Sequence, residues 1–542
     1  MGTIYYVSEV HGKKEGDGRT KETAFSNLDA VNNLQLLPGD QILFEKDSVF
    51  EDQFLILKDS GTKEAPILIS SYGEGEKPAI HTNGLGQWYF DYGKEIDNPL
   101  HKNKGTVSSS ILLLDAEYIE IRGLEITNDG PDGDKAYNDL DVMNRTGVAS
   151  MAKDKGTRHH IYLEDLYIHD VIGNVYDKHM PNGGIYFVQA LAEDTEKTGI
   201  PRYEDLLIRN CYVEHVNRWG IAASYTAYWE PFAEAAIEDE ACKTYGSTEV
   251  RIENNYVKDA GGDAITVMYC FEPLVQNNIS QGAAQQINEQ DYSATEFGRV
   301  AAGIWPWKCK NALFQYNECF DMQNGENGNN DAQAWDADSA DGTIYQYNYS
   351  HGNTGGAVMF CLEQAYRSTF RYNISQNDER GLICLPGNPD AHIYNNTFFV
   401  KEGVPLIRPN MNDGAMDFEN NIVYYAGGVP AEEEWYGENK KWDNNLFYNC
   451  AGCPADAHAV RVEKGTRVLE NPGTGPATTL GTLYPHADPE QKTVFEGYRP
   501  SEDSPARKAG KVITDHNGYD IEKDFLGNEV KDMPEIGAVE RK

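Results

Sequence analysis

The 542-residue chain is too long for one ordinary compact core, so it is either multidomain or a repeat architecture that grows along one axis. Hydrophobic residues make up 40% of the sequence and tyrosine occurs 33 times, a composition that excludes a disordered chain. The 86 acidic residues outnumber the 47 basic ones, and the resulting net charge of −39 excludes nucleic acid and anionic membranes as partners.

The composition also bears on compartment and on cysteine chemistry. Strong acidity with many Asn, Gly and Tyr residues favours an extracellular or cell-surface protein that handles carbohydrate, although the first residues, MGTIYYVS, lack a signal-peptide pattern. No apolar run is long enough for a transmembrane helix. The nine scattered cysteines predict buried free thiols, and the lone C-x-x-C of Cys450 and Cys453 lacks the second pair that a structural zinc site needs.

Residues 1–110 are predicted to form an N-terminal cap and the first coils of a β-rich repeat. The first predicted strands lie in PGDQILFEKDSVF and PILISSYGEGEKPAI. Such a cap covers the open apolar end of a repeat architecture.

A short phrase recurs through the middle of the chain: an apolar residue, a polar residue, Asn or Tyr, then Asn, then an apolar strand. Its closing residues are Asn255, Asn278, Asn317, Asn348, Asn373, Asn396, Asn421 and Asn445. From Asn348 onward they are 25, 23, 25 and 24 residues apart. This period predicts an all-β fold, a right-handed parallel β-helix, whereas a β-sandwich does not hold such a regular period. Asn suits each bend because it tolerates left-handed backbone and can hydrogen-bond to its stacked copy, so the ladder is predicted to be structural.

The repeat defines the other predicted regions. Residues 111–455 form the parallel β-helix catalytic core, with a helical insertion near residues 225–245, and residues 456–542 form a closing segment packed on the helix. The widest ladder gaps lie between Asn278 and Asn348. Because insertions build the sites on the flat faces of a β-helix, we expect the functional site there or on neighbouring coils.

The string DAQAWDADSADG, residues 331–342, lies in this stretch. It contains four aspartates: Asp331, Asp336, Asp338 and Asp341. On a strand Asp336 and Asp338 would share one face about 6.6 Å apart. Close carboxylates repel, which raises one pKa and yields the protonated and ionised pair that glycoside hydrolysis needs. Asp341 reads as an ordinary turn residue, and a Ca²⁺ site unlike an EF-hand or a solvated acidic loop stays open as an alternative for the string.

Aromatic residues near this string favour a sugar ligand, because pyranose rings pack their C–H faces on aromatic side chains. Six aromatic residues lie close to the string or on the predicted insertion: Trp305, Trp307, Trp335, Tyr225, Tyr228 and Trp229. Polar islands precede two apolar strands, at Asp263 in GGDAITVMYC and at His179 and Asn182 in DKHMPNGGIYF. Each island reads as a turn, with ligand contact as the alternative.

Four strings resemble the lacto-N-biosidases of glycoside hydrolase family 136: GNNDAQAWDADSADGTIYQYNYSHGN, RVAAGIWPWKCK, VRIENNYVKDAGGDAITVMYC and DKHMPNGGIYF. The similarity runs from the N-terminal cap to the final DFLGNEVKDMPEIGAVE. The resemblance implies a parallel β-helix that cleaves lacto-N-tetraose into lacto-N-biose and lactose with retention of anomeric configuration. It also points to a folding chaperone subunit as a partner, which some members need. The chemistry requires no cofactor, and a structural Ca²⁺ stays open.

The resemblance carries site residues over to this sequence. The family's catalytic pair is the first and last Asp of a D-x-Q-A-W-D-A-D string, here Asp331 as acid/base and Asp338 as nucleophile. This assignment replaces the strand pair that spacing alone favours, and leaves Asp336 to bind substrate hydroxyls or tune the pKa of its neighbours. Further substrate contacts are expected from Gln333, Trp335, Trp305, Trp307, Tyr225 and Asp263.

Two other functional classes stay open. A polysaccharide lyase on the same fold requires a cationic groove and a Lys or Arg base, and the net charge of −39 counts against it. A non-catalytic, glycan-binding β-helix would bind sugar without turnover. An unsaturated product that absorbs ultraviolet light would identify the lyase, and the absence of any turnover would identify the binding protein.

Overall fold

The computed structural model describes residues 2–99, 101–130, 142–285, 300–323, 331–430, 433–475, 491–513, 521–530 and 532–541. In these residues short strands pass from one sheet to the next, and each strand pairs in parallel with its counterpart in the following coil. The chain therefore forms a parallel β-helix, as the 24-residue period predicts.

Three long sheets, called sheet 1, sheet 2 and sheet 3, contain the described strands. Sheet 1 contains Ile4–Val7, Gln41–Glu45, Ile67–Tyr72, Ile119–Arg122, Thr157–Glu164, Arg202–Arg209, Ser247–Glu253, Cys270–Phe271, Leu274–Gln276, Leu313–Gln315, Ile344–Gln346, Thr369–Arg371, His392–Tyr394, Met416–Glu419 and Lys440–Asp443. Sheet 2 contains Val49–Glu51, Ala79–His81, Glu125–Asn128, Tyr167–Val171, Tyr212–Val216, Tyr256–Ala260, Ile279–Gln281, Glu318–Phe320, Tyr349–His351, Ile374–Gln376, Thr397–Val400, Ile422–Tyr425, Leu446–Tyr448 and Val460–Val462. Sheet 3 contains Leu55–Leu57, Gln87–Asp91, Lys104–Leu114, Asn144–Ala152, Gly183–Gln189, Ile221–Thr226, Ile265–Met268, Ile304–Trp307, Trp335–Asp338, Val358–Cys361 and Ile383–Cys384, of which Gln87–Asp91 is antiparallel to its neighbour.

Helices are short in the described part of the chain. Its α-helices are Leu28–Asn32, Thr195–Thr198 and Asp239–Tyr245, and its 3-10 helices are Lys21–Thr23, Glu230–Phe232 and Gln491–Tyr498. None of them is long and apolar enough to cross a membrane. The predicted insertion near residues 225–245 is therefore only partly helical, since Tyr225 belongs to the sheet 3 strand Ile221–Thr226.

The asparagine ladder lies at the corner between sheet 1 and sheet 2. From Asn255 to Asn421, the backbone N–H of each ladder residue donates to the side-chain oxygen of the next at 2.8–2.9 Å. The side-chain nitrogen of Asn348, for example, also donates to the Phe314 carbonyl at 3.0 Å. The ladder residues are fully or almost fully buried, so these bonds satisfy polar groups that water cannot reach.

The left-handed backbone at this corner belongs to the residue before each ladder asparagine, not to the ladder residue itself. Those preceding residues have φ between 50° and 60°: Asn254, Asn277, Tyr316, Tyr347, Tyr372, Asn395, Asn420 and Asn444. This corrects the expected role of the ladder asparagines, which contribute hydrogen bonds and not an unusual φ.

Apolar side chains from all three sheets fill the interior, and the helix Leu28–Asn32 covers its N-terminal end with Leu28 and Val31. The C-terminal segment packs outside the later coils, where Phe495, Tyr498 and Phe525 join a cluster with outward tyrosines of the β-helix. All nine cysteines are free thiols and six of them are buried, as predicted.

Replacing Asn348 by Ala tests the ladder. The change removes the acceptor of the Asn317 N–H and the donor to the Phe314 carbonyl, both inside the protein. Unpaired buried groups cost about 1–3 kcal/mol each, so we expect a loss of about 3 kcal/mol or more, measured as a lower unfolding temperature by calorimetry. Asn33→Ala is the control, because Asn33 is exposed and its side chain donates a single hydrogen bond to the Asp29 carbonyl. Equal losses in the two variants would contradict a structural role for the ladder.

Candidate active site

Two aspartates of the DAQAWDAD string project from the outer face of sheet 3. Side chains alternate along a strand, so Trp335 and Ala337 enter the interior while Asp336 and Asp338 face outward. Asp331 precedes the strand and lines the same cleft. A carboxylate oxygen of Asp336 and one of Asp338 lie within 4.8 Å of each other. The structure therefore brings the three acids together.

These acids line a cleft with a volume of about 310 Å³. Along one side Met268, Trp307, Asp338 and Cys361 are successive neighbours on adjacent strands of sheet 3. Segments between strands supply other walls, through residues that include Asp97, Asn98, His101, Lys178, His179 and Asp263. The cleft is thus built on a rigid sheet with polar residues from the connecting segments.

Burial raises the pKa of all three carboxyls above the ordinary range of Asp. It raises the pKa of Asp331 to about 7, against the opposing effect of the Lys178 ammonium. It raises the pKa of Asp338 to about 6, and here Lys178 and a 3.0 Å hydrogen bond from Ser339 oppose the rise. Burial and the neighbouring charges raise the pKa of Asp336 well above its ordinary value. Near neutral pH the cleft can therefore hold both a protonated and an ionised carboxyl.

Two tryptophans, Trp305 and Trp307, line the cleft in fixed orientations, and their expected contact with substrate stays a prediction. The Trp305 Nε1 donates to Asp263 Oδ1 at 3.0 Å, and the Trp307 Nε1 donates to Asp97 Oδ2 at 3.1 Å. The two rings are nearly perpendicular, at 85°. They offer apolar surfaces of the kind that pack against sugar rings.

Asp263 lies at the cleft but is occupied by protein groups. It is fully buried, forms an ion pair with Arg218 at 2.8 Å, and accepts the backbone N–H of Ala302 at 3.0 Å. Because Trp305 also donates a hydrogen bond to Asp263, both oxygens of the Asp263 carboxylate have partners within the protein. We therefore assign Asp263 the role of anchoring Trp305 in place of the expected substrate contact.

Three expected substrate contacts lie behind the cleft wall. Trp335 is fully buried in the interior, with its ring 5.8 Å from that of Tyr345. Gln333 is fully buried and donates to the Cys384 sulfur at 3.5 Å. Tyr225 is fully buried and hydrogen-bonds to Asp97. These placements give the three residues packing and supporting roles and correct the expectation that they touch substrate.

Several cleft residues were not among the expected substrate contacts, although His179 was noted in the sequence as a turn residue with ligand contact as the alternative. Lys178, His179 and His101 share one wall, and burial lowers the pKa of His101 to about 3 and that of His179 well below its ordinary value, so both imidazoles are neutral. His179 stands in the string DKHMPNGGIYF, so the resemblance offered a signal for Lys178 and His179. Asp97 and His101 carried no sequence signal, because they lie between strands and outside any motif.

Asp341 is not the ordinary turn residue that its place in the string suggests. It is 2% exposed and accepts the backbone N–H of Ile237 at 2.9 Å and the Arg367 Nε at 2.7 Å. Lys310 lies 3.6 Å from the same carboxylate. Asp341 therefore fastens the inserted segment that contains Ile237 to the coil beside the active-site strand.

The described acids do not form a convincing calcium site. Ligand atoms of Asp336, Asp338 and Cys361 lie within 4.8 Å of one another. Ca²⁺ prefers about six to eight oxygen ligands, and a thiol is a soft ligand that suits other metals. This group does not fit calcium, and the calcium site stays a prediction.

Replacing Asp336 by Asn tests the cost of burying these acids. A group whose pKa is raised in the folded state stabilises the protein at low pH, and that contribution is lost as the pH rises through the folded value. Asn keeps the shape of Asp336 and cannot ionise, so we expect the variant to unfold at a higher temperature than the wild type, by a margin that grows from pH 5 to pH 8.

Asp443→Asn is the matched control of opposite sign. Burial acts to raise the pKa of Asp443, but hydrogen bonds from Lys511 and His458, both at 2.6 Å, outweigh it and lower that pKa. The ionised Asp443 carboxylate therefore stabilises the folded protein at neutral pH, and this stabilisation is lost as the pH falls below about 4. We expect Asp443→Asn to lower the unfolding temperature at pH 7. A stabilising margin for Asp336→Asn that shrinks as the pH rises would contradict the assignment.

Known proteins match most of this chain. The curated lacto-N-biosidase of Bifidobacterium longum subsp. longum is 44% identical over 99% of this chain, which spans 36% of that protein's length. Native and selenomethionine crystal structures of the GH136 lacto-N-biosidase from Eubacterium ramulus are 52% identical, with a TM-score of 0.74, over 76% of this chain and 66% of theirs. No family model matches the chain. The identity to these proteins shows that the chain belongs to glycoside hydrolase family 136.

Proposed function

We propose that this chain is a lacto-N-biosidase that cleaves lacto-N-tetraose into lacto-N-biose and lactose, with Asp331 as acid/base and Asp338 as nucleophile. The observation that carries the proposal is the group of three carboxyls, buried Asp336 and half-buried Asp331 and Asp338, in a tryptophan-lined cleft of a chain that is 44% identical to a curated lacto-N-biosidase. This chain spans about a third of that relative, so its own activity is the quantity to measure.

In the first step the Asp331 carboxyl donates its proton to the glycosidic oxygen, and lactose leaves. The Asp338 carboxylate attacks the anomeric carbon of the N-acetylglucosamine unit and forms a glycosyl ester. The roles agree with the ionisation of the two groups, because the pKa of Asp331 is raised to about 7 and that of Asp338 to about 6. Between these values the acid keeps its proton while the nucleophile is largely ionised.

In the second step Asp331, now ionised, takes a proton from a water molecule while the oxygen of that water attacks the same anomeric carbon. The bond to Asp338 breaks and lacto-N-biose is released with its original configuration. Two inversions at one carbon give retention.

Asp336 has a different role in this scheme. Its Oδ1 is buried and has no hydrogen-bond partner among the described residues, and its raised pKa keeps it protonated. A protonated carboxyl within 4.8 Å of the nucleophile can donate to a sugar hydroxyl or to Asp338. We propose that Asp336 orients the sugar and does not exchange a proton during turnover.

Incubation with lacto-N-tetraose tests the proposal. We expect the wild type to release lacto-N-biose and lactose, and Asp331→Asn and Asp338→Asn to lose at least about 100-fold in turnover, because general acid catalysis and the nucleophile each contribute at least that much. Products are identified by chromatography and mass spectrometry. Asp417→Asn is the control, since Asp417 lies on sheet 1 and pairs with Lys441 at 3.0 Å on the surface.

Other outcomes would identify other functions. Release of a monosaccharide would contradict the substrate, and full activity of both Asn variants would contradict the site. An unsaturated product that absorbs ultraviolet light would indicate a lyase. Binding of the tetrasaccharide without turnover would indicate a glycan-binding protein.

A further inference from the structure

Lys178 places a buried ammonium group on the wall of the cleft. The proposed mechanism gives this group no role. The residue is 9% exposed, and its Nζ lies 5.4 Å from the centre of the Trp305 ring. It lines the same cleft as Asp331 and Asp338. A buried lysine costs free energy unless its charge is used, so its position calls for an electrostatic explanation.

The turn that carries Lys178 is held rigidly. The Asn174 side-chain oxygen accepts the backbone N–H groups of Tyr176 and Asp177, both at 2.8 Å. The Asn182 side chain donates to the Asp177 carbonyl at 2.8 Å, and the Trp219 Nε1 donates to the Lys178 carbonyl at 2.9 Å. The backbone on both sides of Lys178 is therefore fixed, as a preorganised electrostatic group requires.

The neighbouring cations already have partners. Arg218 is paired with Asp263 at 2.8 Å, and the Lys308 ammonium hydrogen-bonds to Gln364. In the part of the chain that the structure describes, no carboxylate oxygen lies within 4 Å of the Lys178 ammonium, the distance that defines an ion pair. Its positive charge therefore acts on the cleft as a whole.

We infer that Lys178 is a positioning residue that favours the ionised form of Asp338 in the first step of the reaction and the ionised form of Asp331 in the second. In the free enzyme its charge favours the ionised form of Asp338. When Asp338 becomes a neutral ester, that negative charge disappears and the field of Lys178 falls on Asp331. Asp331, which has just given its proton to lactose, then stays ionised and can take a proton from water. The inference rests on the proposed function.

The electrostatics of the cleft agree with this role. Among the charges near Asp331 and Asp338, Lys178 has the largest effect in lowering the pKa of each, against the larger effect of burial. Besides Lys178, the titratable and charged groups that line the cleft or act on these acids are Asp97, Asp263, Asp336, Lys308, Cys361, Arg408 and the cleft histidines. Arg408 also lowers the pKa of Asp331 and Lys308 also lowers that of Asp338, but Lys178 has a larger effect than either and acts on both acids.

The test compares the pH dependence of kcat/KM in the wild type, Lys178→Met and Lys178→Arg. We expect a bell-shaped wild-type profile with limbs near pH 6 and pH 7, from Asp338 and Asp331. In Lys178→Met both limbs should move to higher pH by about half a unit or more, because removal of a cation disfavours both ionised forms. Lys178→Arg should keep the limbs close to the wild-type values.

Intact-protein mass spectrometry during turnover gives a second measurement. In Lys178→Met we expect the glycosyl-enzyme to accumulate, since Asp331 is a weaker source of base in the second step without the cation. A residue that only supports the fold would lower kcat/KM without moving the pH limbs. Lys197→Met is the matched control for the lost charge, because Lys197 is 81% exposed and pairs with Asp194 at 2.6 Å.

The outcomes separate this inference from the proposed function. Active Lys178→Met enzyme with unmoved pH limbs would overturn the inference and leave the function intact. If Lys178→Met does not fold by calorimetry, Lys178→Gln takes its place. If the wild type does not hydrolyse lacto-N-tetraose, the proposed function fails, and carbon-13 NMR titration of aspartate-labelled wild type and variant still measures both carboxyls. Unchanged titration of Asp331 and Asp338 in that experiment would overturn the inference.

Discussion

The buried asparagine ladder fixes the register of the coils, and the active site depends on that register. Each ladder residue binds the backbone N–H of its predecessor, so extra residues between coils must loop outward. Because side chains alternate along a strand, a slip of one residue would turn Asp336 and Asp338 into the interior and Trp335 into the cleft. The ladder therefore determines the position of the acids although it lies at the corner between the other two sheets.

Burial of the acids suits the proposed catalytic roles but reduces the stability of the folded protein. Three carboxyls with raised pKa values share one wall, and each becomes costly to the folded state once it ionises. The Lys178 ammonium opposes the rise in the pKa of all three acids and thereby limits this cost. The same arrangement separates the protonated and ionised forms of two like side chains, which acid/base and nucleophilic roles require.

The sequence predicted the fold well because the fold is periodic, and the Asn spacing is visible without any contact information. Strand alternation predicted that Asp336 and Asp338 share a face, and the same rule places Trp335 on the opposite face, in the interior of the β-helix. Asp331 came only from the family resemblance, since the loop before the strand has no period. Asp97 and His101 were missed because they return to the cleft from a distant connection between strands, and the ion pair that occupies Asp263 forms only in three dimensions.

The proposed mechanism requires a covalent bond between Asp338 and the sugar. The N-acetyl group of the substrate offers a rival nucleophile, with the carboxylate only orienting it. The most direct measurement is incubation with a fluorinated lacto-N-biose analogue that carries an activated leaving group, followed by peptide mass spectrometry. We expect one sugar attached to Asp338 in the wild type and none in Asp338→Asn. An unlabelled protein that is instead inhibited tightly by an oxazoline-like analogue would contradict it.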